Sequence, residues 1–134
     1  HMYNILIVDD CENDTILLLR ELKKGGLDIH STRVETDRSL RSALEESDWD
    51  LVISDHSIPG YSSQEALETI RDRDANLPVI IVSGEIPERE AIKLMKAGAQ
   101  DYVMKENLAR LIPAIEREIR ESESRQAKNS QNRI

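Results

Sequence analysis

LVISDHSIPG (residues 51–60) is the stretch on which the fold turns. Four residues suited to a buried strand, Leu51 to Ser54, run straight into a carboxylate, Asp55, and Pro59-Gly60 then turns the chain. A continuous apolar run, as opposed to an alternating one, marks a strand covered on both faces. An aspartate closing such a strand can simply solvate or cap its end. Its meaning depends on what the other strand ends bring beside it.

The same pattern recurs on both sides of this stretch. NILIV (4–8) is a short β-branched run that stops at Asp9-Asp10, and LPVIIVS (77–83) is the most strand-like segment of all. DIHSTRVE (28–35) alternates weakly, as a strand nearer an edge does, DLVIS (50–54) is the third strand, and DYVM (101–104) is a short fifth. Between them the apolar period changes to that of a helix. Leu18, Leu19 and Leu22 share a face with Cys11 and Thr15, and Gly25-Gly26 ends that helix. Leu40, Ala43 and Leu44 mark a second helix, Ala66, Leu67 and Ile70 a third, and Ala91, Ile92, Leu94 and Met95 a fourth, ended by Gly98. Leu108, Leu111, Ile112, Ile115 and Ile119 form a fifth stripe with Pro113 inside it. Either a short turn precedes the main helix there, or the helix kinks. Beyond about Arg120 the stripe is lost, which predicts a frayed helical extension or a disordered tail. Five strands alternating with five helices predict an α/β, doubly wound parallel sheet with helices on both faces. Sites in such sheets form beyond the carboxyl ends of the strands.

Composition narrows the function. At 134 residues the chain fits one domain, and a formal net charge of -8 argues against unspecific nucleic-acid binding, which needs cationic side chains to displace counterions. Phe is absent, so the core must be aliphatic. Cys11 is the only cysteine, which excludes an internal disulfide and fits a reducing, cytoplasmic setting. No apolar run is long enough to span a membrane, no secretory signal is evident, and His1-Met2 reads as a cloning remnant.

The strand ends carry the chemistry. Asp9 and Asp10 follow the first strand, Asp55 the third, Ser83-Gly84 closes the fourth and Lys105 follows the fifth. In a parallel sheet all of them project at one edge. Two like charges about 4 Å apart cost about 4 kcal/mol at an effective dielectric near 20. A hard divalent cation with oxygen ligands, Mg2+ above all, offsets that, and Lys105 adds a fixed charge. An aspartate beside a metal and a lysine, with a hydroxyl donor at hand, is arranged to attack phosphorus in line.

This constellation resembles the receiver domain of two-component response regulators, chemotaxis regulators among them, over residues 3–122, with 123–134 left as a polar tail or linker. The residues carrying the resemblance are Asp9-Asp10, Asp55 with Pro59-Gly60, Ser83-Gly84, and Lys105 three residues after Tyr102. The resemblance implies the flavodoxin-like strand order 2-1-3-4-5. It implies that Asp55 is the phosphoacceptor. It also implies that Asp10, Asp55 and the carbonyl of Ser57 bind Mg2+, with Asp9 helping through ordered water. Ser83 and Tyr102 become a switch pair that alters the face formed by helix 4, strand 5 and helix 5. Such a protein is no enzyme beyond its own phosphorylation and dephosphorylation. The partners implied are a sensor histidine kinase or phosphotransfer protein, and a downstream protein or fused output domain, with no direct nucleic-acid or membrane contact. A phosphorylation-dependent homodimer is compatible with it. The family usually has Pro after the lysine, with a cis bond; here Glu106 stands there, which favours a trans bond and adds a negative charge near the site.

Other readings are weaker. Asp9-Asp10 as a mere helix cap explains one strand end and none of the others. Asp10, Glu12, Asp14 and Glu21 mimic a calcium loop, but Thr15 stands where that loop needs Gly. A flavin or nucleotide carrier needs a phosphate loop that the acidic DDCEND (9–14) does not provide, and no Walker motif occurs. A dehalogenase-type phosphatase would want aspartate at position 11, which is Cys11, read instead as a small buried hydrophobe. His56, directly after Asp55, has the option of pointing to the opposite face, and a role as a pH or metal modifier is the weaker reading of it. A receiver-like interaction module that is never phosphorylated is the principal alternative.

Overall fold

The computed structural model describes residues 2–56 and 58–131. The sheet holds β1 (Tyr3–Val8), β2 (Ile29–Val34), β3 (Leu51–Asp55), β4 (Val79–Ser83) and β5 (Asp101–Met104), all parallel, in the order β2-β1-β3-β4-β5. The helices are α1 (Glu12–Lys24), α2 (Asp37–Glu46), α3 (Ser63–Arg73), α4 (Glu88–Lys96) and α5 (Leu111–Gln131). The expected α/β, doubly wound architecture and strand order are those observed.

The continuous apolar runs are explained by the two cores. Alternate strand residues serve opposite faces. Leu6, Val8, Val52, Val79 and Ile81 pack with Leu40 and Leu44 of α2, Leu67 and Ile70 of α3 and Leu94 of α4. Ile5, Ile7, Leu51, Ile53, Ile80 and Val82 pack with Leu18 and Leu22 of α1 and Leu111, Ile115 and Ile119 of α5. Burying each large aliphatic side chain contributes about 1.5–3 kcal/mol. With both faces covered, the middle of each inner strand is a run of aliphatic residues, and the charged carboxylates wait until the strand ends.

Boundaries differ from the sequence expectation in instructive ways. Asp55 is the last residue of β3 and not the first after it. A 3-10 turn, Lys105–Arg110, precedes α5, and Pro113 falls in the first turn of α5, where its missing N–H has no partner to lose. The turn, not a kinked helix, is therefore how Pro113 is accommodated. α5 continues to Gln131, so the polar segment after Arg120 extends the helix as far as the described residues reach. No peptide bond among the described residues is cis, so Lys105-Glu106 is trans.

Candidate functional site

Strand register assembles the site. Val8 of β1 pairs with Ser54 of β3, so one step further Asp9 lies level with Asp55. Asp55 pairs with Val82 of β4, and Ser83 pairs with Met104 of β5, which places Lys105 directly beyond that edge. The pleat then sorts the side chains. Asp9 follows Ile5 and Ile7, Asp55 follows Leu51 and Ile53, and Lys105 follows Val103, all residues of the core shared with α1 and α5. Ser83 follows Val79 and Ile81, residues of the other core.

The carboxylates of Asp9, Asp14 and Asp55 each bring one oxygen within 4.8 Å of the others. Asp9 and Asp55 are buried. Lys105 Nζ stands 2.9 Å from Asp14 Oδ2 and 3.5 Å from Asp55 Oδ2. Burial works against the Lys105 ammonium, but its bond to Asp14 and the charges of Asp55, Asp14 and Asp9 outweigh that and raise its pKa. Asp9 is pushed the other way. Burial raises its carboxyl to about 6, helped by Asp55 and Asp14 and opposed by the Cys11 N–H and Lys105. That N–H donates to Asp9 Oδ1 at 2.9 Å at the entry to α1. A cavity of about 180 Å3 opens beside these groups, with Leu17, Leu18, Val82 and Leu108 forming its apolar wall.

The structure brings some of the residues expected from sequence together and leaves others apart. Asp9, Asp55 and Lys105 converge. Asp10 is exposed and stands outside the three converging carboxylates. Ser57 lies outside the described residues. Ser83 is buried, and its hydroxyl donates to the Glu85 carbonyl at 3.0 Å while accepting the Glu85 N–H at 3.2 Å. Tyr102 is 37% exposed on edge strand β5. Arg110 holds the same strand by donating to the Tyr102 carbonyl and by pairing with Asp101 at 3.3 Å. His56 does turn toward other elements: Nδ1 shares a hydrogen bond with Ser63 Oγ at 2.8 Å, and Nε2 meets Glu90 Oε2 at 2.7 Å. Cys11 is half-buried at the N-cap of α1, less enclosed than expected, because the chain is still leaving the sheet edge there.

Asp14 is the residue the sequence reading passed over as a site group. Cys11 caps α1, so Asp14 is the third residue of the helix, in the turn whose N-terminus faces the strand ends. An acid at that helix position was the available signal.

The chain matches the response regulator receiver domain family over residues 5–116. The chain belongs to that family. This receiver is 33% identical over 109 residues to the two-component response regulator ORR8 of Oryza sativa subsp. japonica, covering 76% of this chain and 85% of that protein. It is 31% identical over 104 residues to the C4-dicarboxylate transport transcriptional regulatory protein DctD of Pseudomonas aeruginosa, covering 75% of this chain but only 21% of that one. Among solved structures, a response regulator receiver domain from Clostridium thermocellum superposes with a TM-score of 0.78 at 27% identity, covering 90% of this chain and 97% of that one. The receiver domain of sensor histidine kinase PA1611 from Pseudomonas aeruginosa PAO1 shares the fold, with a TM-score of 0.75 at 21% identity over 89% of this receiver and 98% of that chain. That structure has a magnesium ion coordinated in its active site cleft. No helix among the described residues is long and apolar enough to cross a membrane.

Proposed function

We propose that this receiver accepts a phosphoryl group on Asp55 in a Mg2+-dependent reaction, from a histidine kinase or phosphotransfer protein, and passes the change to a partner. The observation that carries this is the register-enforced meeting of Asp9, Asp55 and Lys105 at one sheet edge. Asp9 and Asp55, two of the three carboxylates whose oxygens lie within 4.8 Å of one another, offer hard oxygen donors of the kind Mg2+ takes, and the same ion occupies the cleft of the PA1611 receiver. Asp9 and Asp55 would hold it, with Asp10 and the Ser57 carbonyl as the further ligands that the family resemblance implies, and when bound it would neutralise charge on the phosphoryl oxygens.

Asp55 is the nucleophile in this reading. Its oxygen forms a bond to phosphorus as the bond from phosphorus to the donor's imidazole nitrogen breaks, and the imidazole leaves with the electron pair. Lys105 contacts the phosphoryl oxygens, and Ser83 exchanges its bond to the Glu85 carbonyl for one to phosphate. Burial of Asp55 keeps bulk water from its carboxylate, while the open edge leaves room for the donor. Release of Ser83 from Glu85 lets Tyr102 move inward from its exposed position, changing the α4–β5–α5 face. The chain thus transfers phosphate only to itself, and water later removes it. Partners with output activity, fused or separate, read that face; a phosphorylation-dependent homodimer would use it too.

Intact mass after incubation with acetyl phosphate, with and without Mg2+, tests this. The expected result is a Mg2+-dependent, base-labile phosphoryl adduct that Asp55→Asn lacks. A folded protein that never gains the adduct would instead be an interaction module on the same fold.

A further inference from the structure

Lys105 is claimed by two carboxylates, and the nearer is not the phosphoacceptor. Its ammonium makes a charge-assisted hydrogen bond to Asp14 Oδ2 at 2.9 Å, while Asp55 Oδ2 is 3.5 Å away, an ion pair at longer range. Asp14 is fixed by α1 and by its place at the mouth of the cavity that also exposes Asp9, Asp55 and Lys105. We propose that Asp14 is a positioning residue that holds Lys105 back from Asp55 in the unphosphorylated protein and thereby slows phosphorylation. The inference rests on reading Asp55 as the phosphoacceptor.

The physical case is one of competition. A lysine ammonium is a compact charge with three donors on a flexible stem, so its position is set by whichever anion holds it best. When a phosphoryl group arrives, Lys105 must leave Asp14 or divide its donors between two anions. Holding Lys105 at 2.9 Å thus places part of the reorganisation before the chemical step. Once Asp55 is phosphorylated, the added charge outbids one carboxylate, and Lys105 moves over. Asp14 also adds negative charge near an incoming phosphodonor, an effect that does not need Lys105. The test separates the two.

Asp14→Asn is nearly isosteric and its side chain is 40% exposed, so the fold is retained; a thermal melt checks that. The rate of adduct formation with acetyl phosphate is measured for the wild type, Asp14→Asn, Lys105→Ala and the double variant, at saturating Mg2+, with Mg2+ affinity measured separately by titration. The tether predicts roughly twofold to fivefold faster phosphorylation in Asp14→Asn, the upper part of the range for losing one partly exposed ion pair. It also predicts less than about twofold change when the same substitution is made in Lys105→Ala, and little change in Mg2+ affinity. Equal acceleration in both backgrounds overturns the tether in favour of simple repulsion. A slower Asp14→Asn with Mg2+ affinity weakened about tenfold overturns it too, and makes Asp14 a metal-binding group. If the wild type forms no adduct, the phosphoacceptor reading falls first and Asp14 with it. An adduct formed at an unchanged rate removes the Asp14 proposal alone.

Discussion

His56 ties the strand that ends in Asp55 to helix α4. Its Nε2 meets Glu90 Oε2 at 2.7 Å, and its Nδ1 is bonded to Ser63 Oγ at 2.8 Å at the start of α3. A carboxylate can only accept, so Nε2 carries the proton toward Glu90. One ring therefore spans three elements, and it belongs to the residue next to the proposed phosphoacceptor. Removing the acceptor with Glu90→Ala should lower stability by about 0.5–1.5 kcal/mol, the range for a single net hydrogen bond. Amide exchange in α4 should rise more than in α2, which has no part in the tie. A variant whose α4 exchange is unchanged would make the contact incidental.

A second tie lies at the opposite end of the sheet. Arg71, near the end of α3, donates from Nη1 to the Leu77 carbonyl at 2.6 Å and from Nη2 to the Gly98 carbonyl at 2.7 Å and Gln100 Oε1 at 2.8 Å. It thereby fixes the loops that feed β4 and β5. Gly98 has φ +118°, and a Cβ there would meet Arg71 Nε at 2.8 Å. Arg71→Met and Gly98→Ala should each cost about 2–4 kcal/mol by urea denaturation, since both leave carbonyls short of donors and the second also strains the backbone. The double variant should cost much less than the sum, because both break one cluster. Full additivity would contradict this.

The carboxylate of Asp37 accepts from Arg41 Nε at 2.7 Å, from the Tyr61 hydroxyl at 2.9 Å and from the Thr69 hydroxyl at 2.9 Å. Its pKa is lowered, first by Arg41, then by Tyr61 and, against some burial, by Thr69. A depressed carboxylate stabilises the fold above its ordinary value of 3.8, and that contribution is lost as pH falls through the folded pKa. The side chain is 44% exposed, so solvent screening limits the gain to under about 1 kcal/mol. Asp37→Asn should therefore melt slightly below the wild type at pH 7 and converge with it as pH falls below 3.8 and through the lowered folded pKa. Curves that stay apart at low pH would point to shape, not charge.

Much of this was legible because a doubly covered sheet writes its strands as unbroken apolar runs, so Ile5-Leu6-Ile7-Val8 could only be an inner strand. The edge that gathers Asp9, Asp55 and Lys105 followed from parallel strands alone. Their levels did not: pairing Val8 with Ser54 rather than its neighbour is what sets Asp9 beside Asp55, and register is a property of two strands at once. Asp14 was hidden for a related reason. Its approach to Lys105, 91 positions away, depends on how α1 is rotated over the sheet. His56 and Glu90, 34 positions apart, carry no mutual signal in sequence either.

Asp9 should show the electrostatic strain of the site most directly. Its carboxyl is raised from 3.8 to about 6, chiefly by burial. Below pH 3.8 the folded and unfolded chains both hold the proton. Between 3.8 and about 6 only the folded chain keeps it, so stability falls as pH rises across that window, and the loss is complete above it. Asp9→Asn keeps an oxygen to accept the Cys11 N–H and carries no charge. Without Mg2+ it should be more stable than the wild type at pH 7, by on the order of 1–3 kcal/mol, with the gain gone near pH 4. Mg2+ should reverse the ranking, because an ion bound only by the folded wild type adds stability as its concentration rises past Kd, and the amide gives it less charge to bind. Thermal melts at pH 4 and pH 7, with and without 10 mM Mg2+ (roughly the concentration that saturates a millimolar site), decide it. An Asp9→Asn protein less stable than the wild type in Mg2+-free buffer at pH 7 would mean that Lys105 already neutralises the cluster and leaves a metal little electrostatic work to do.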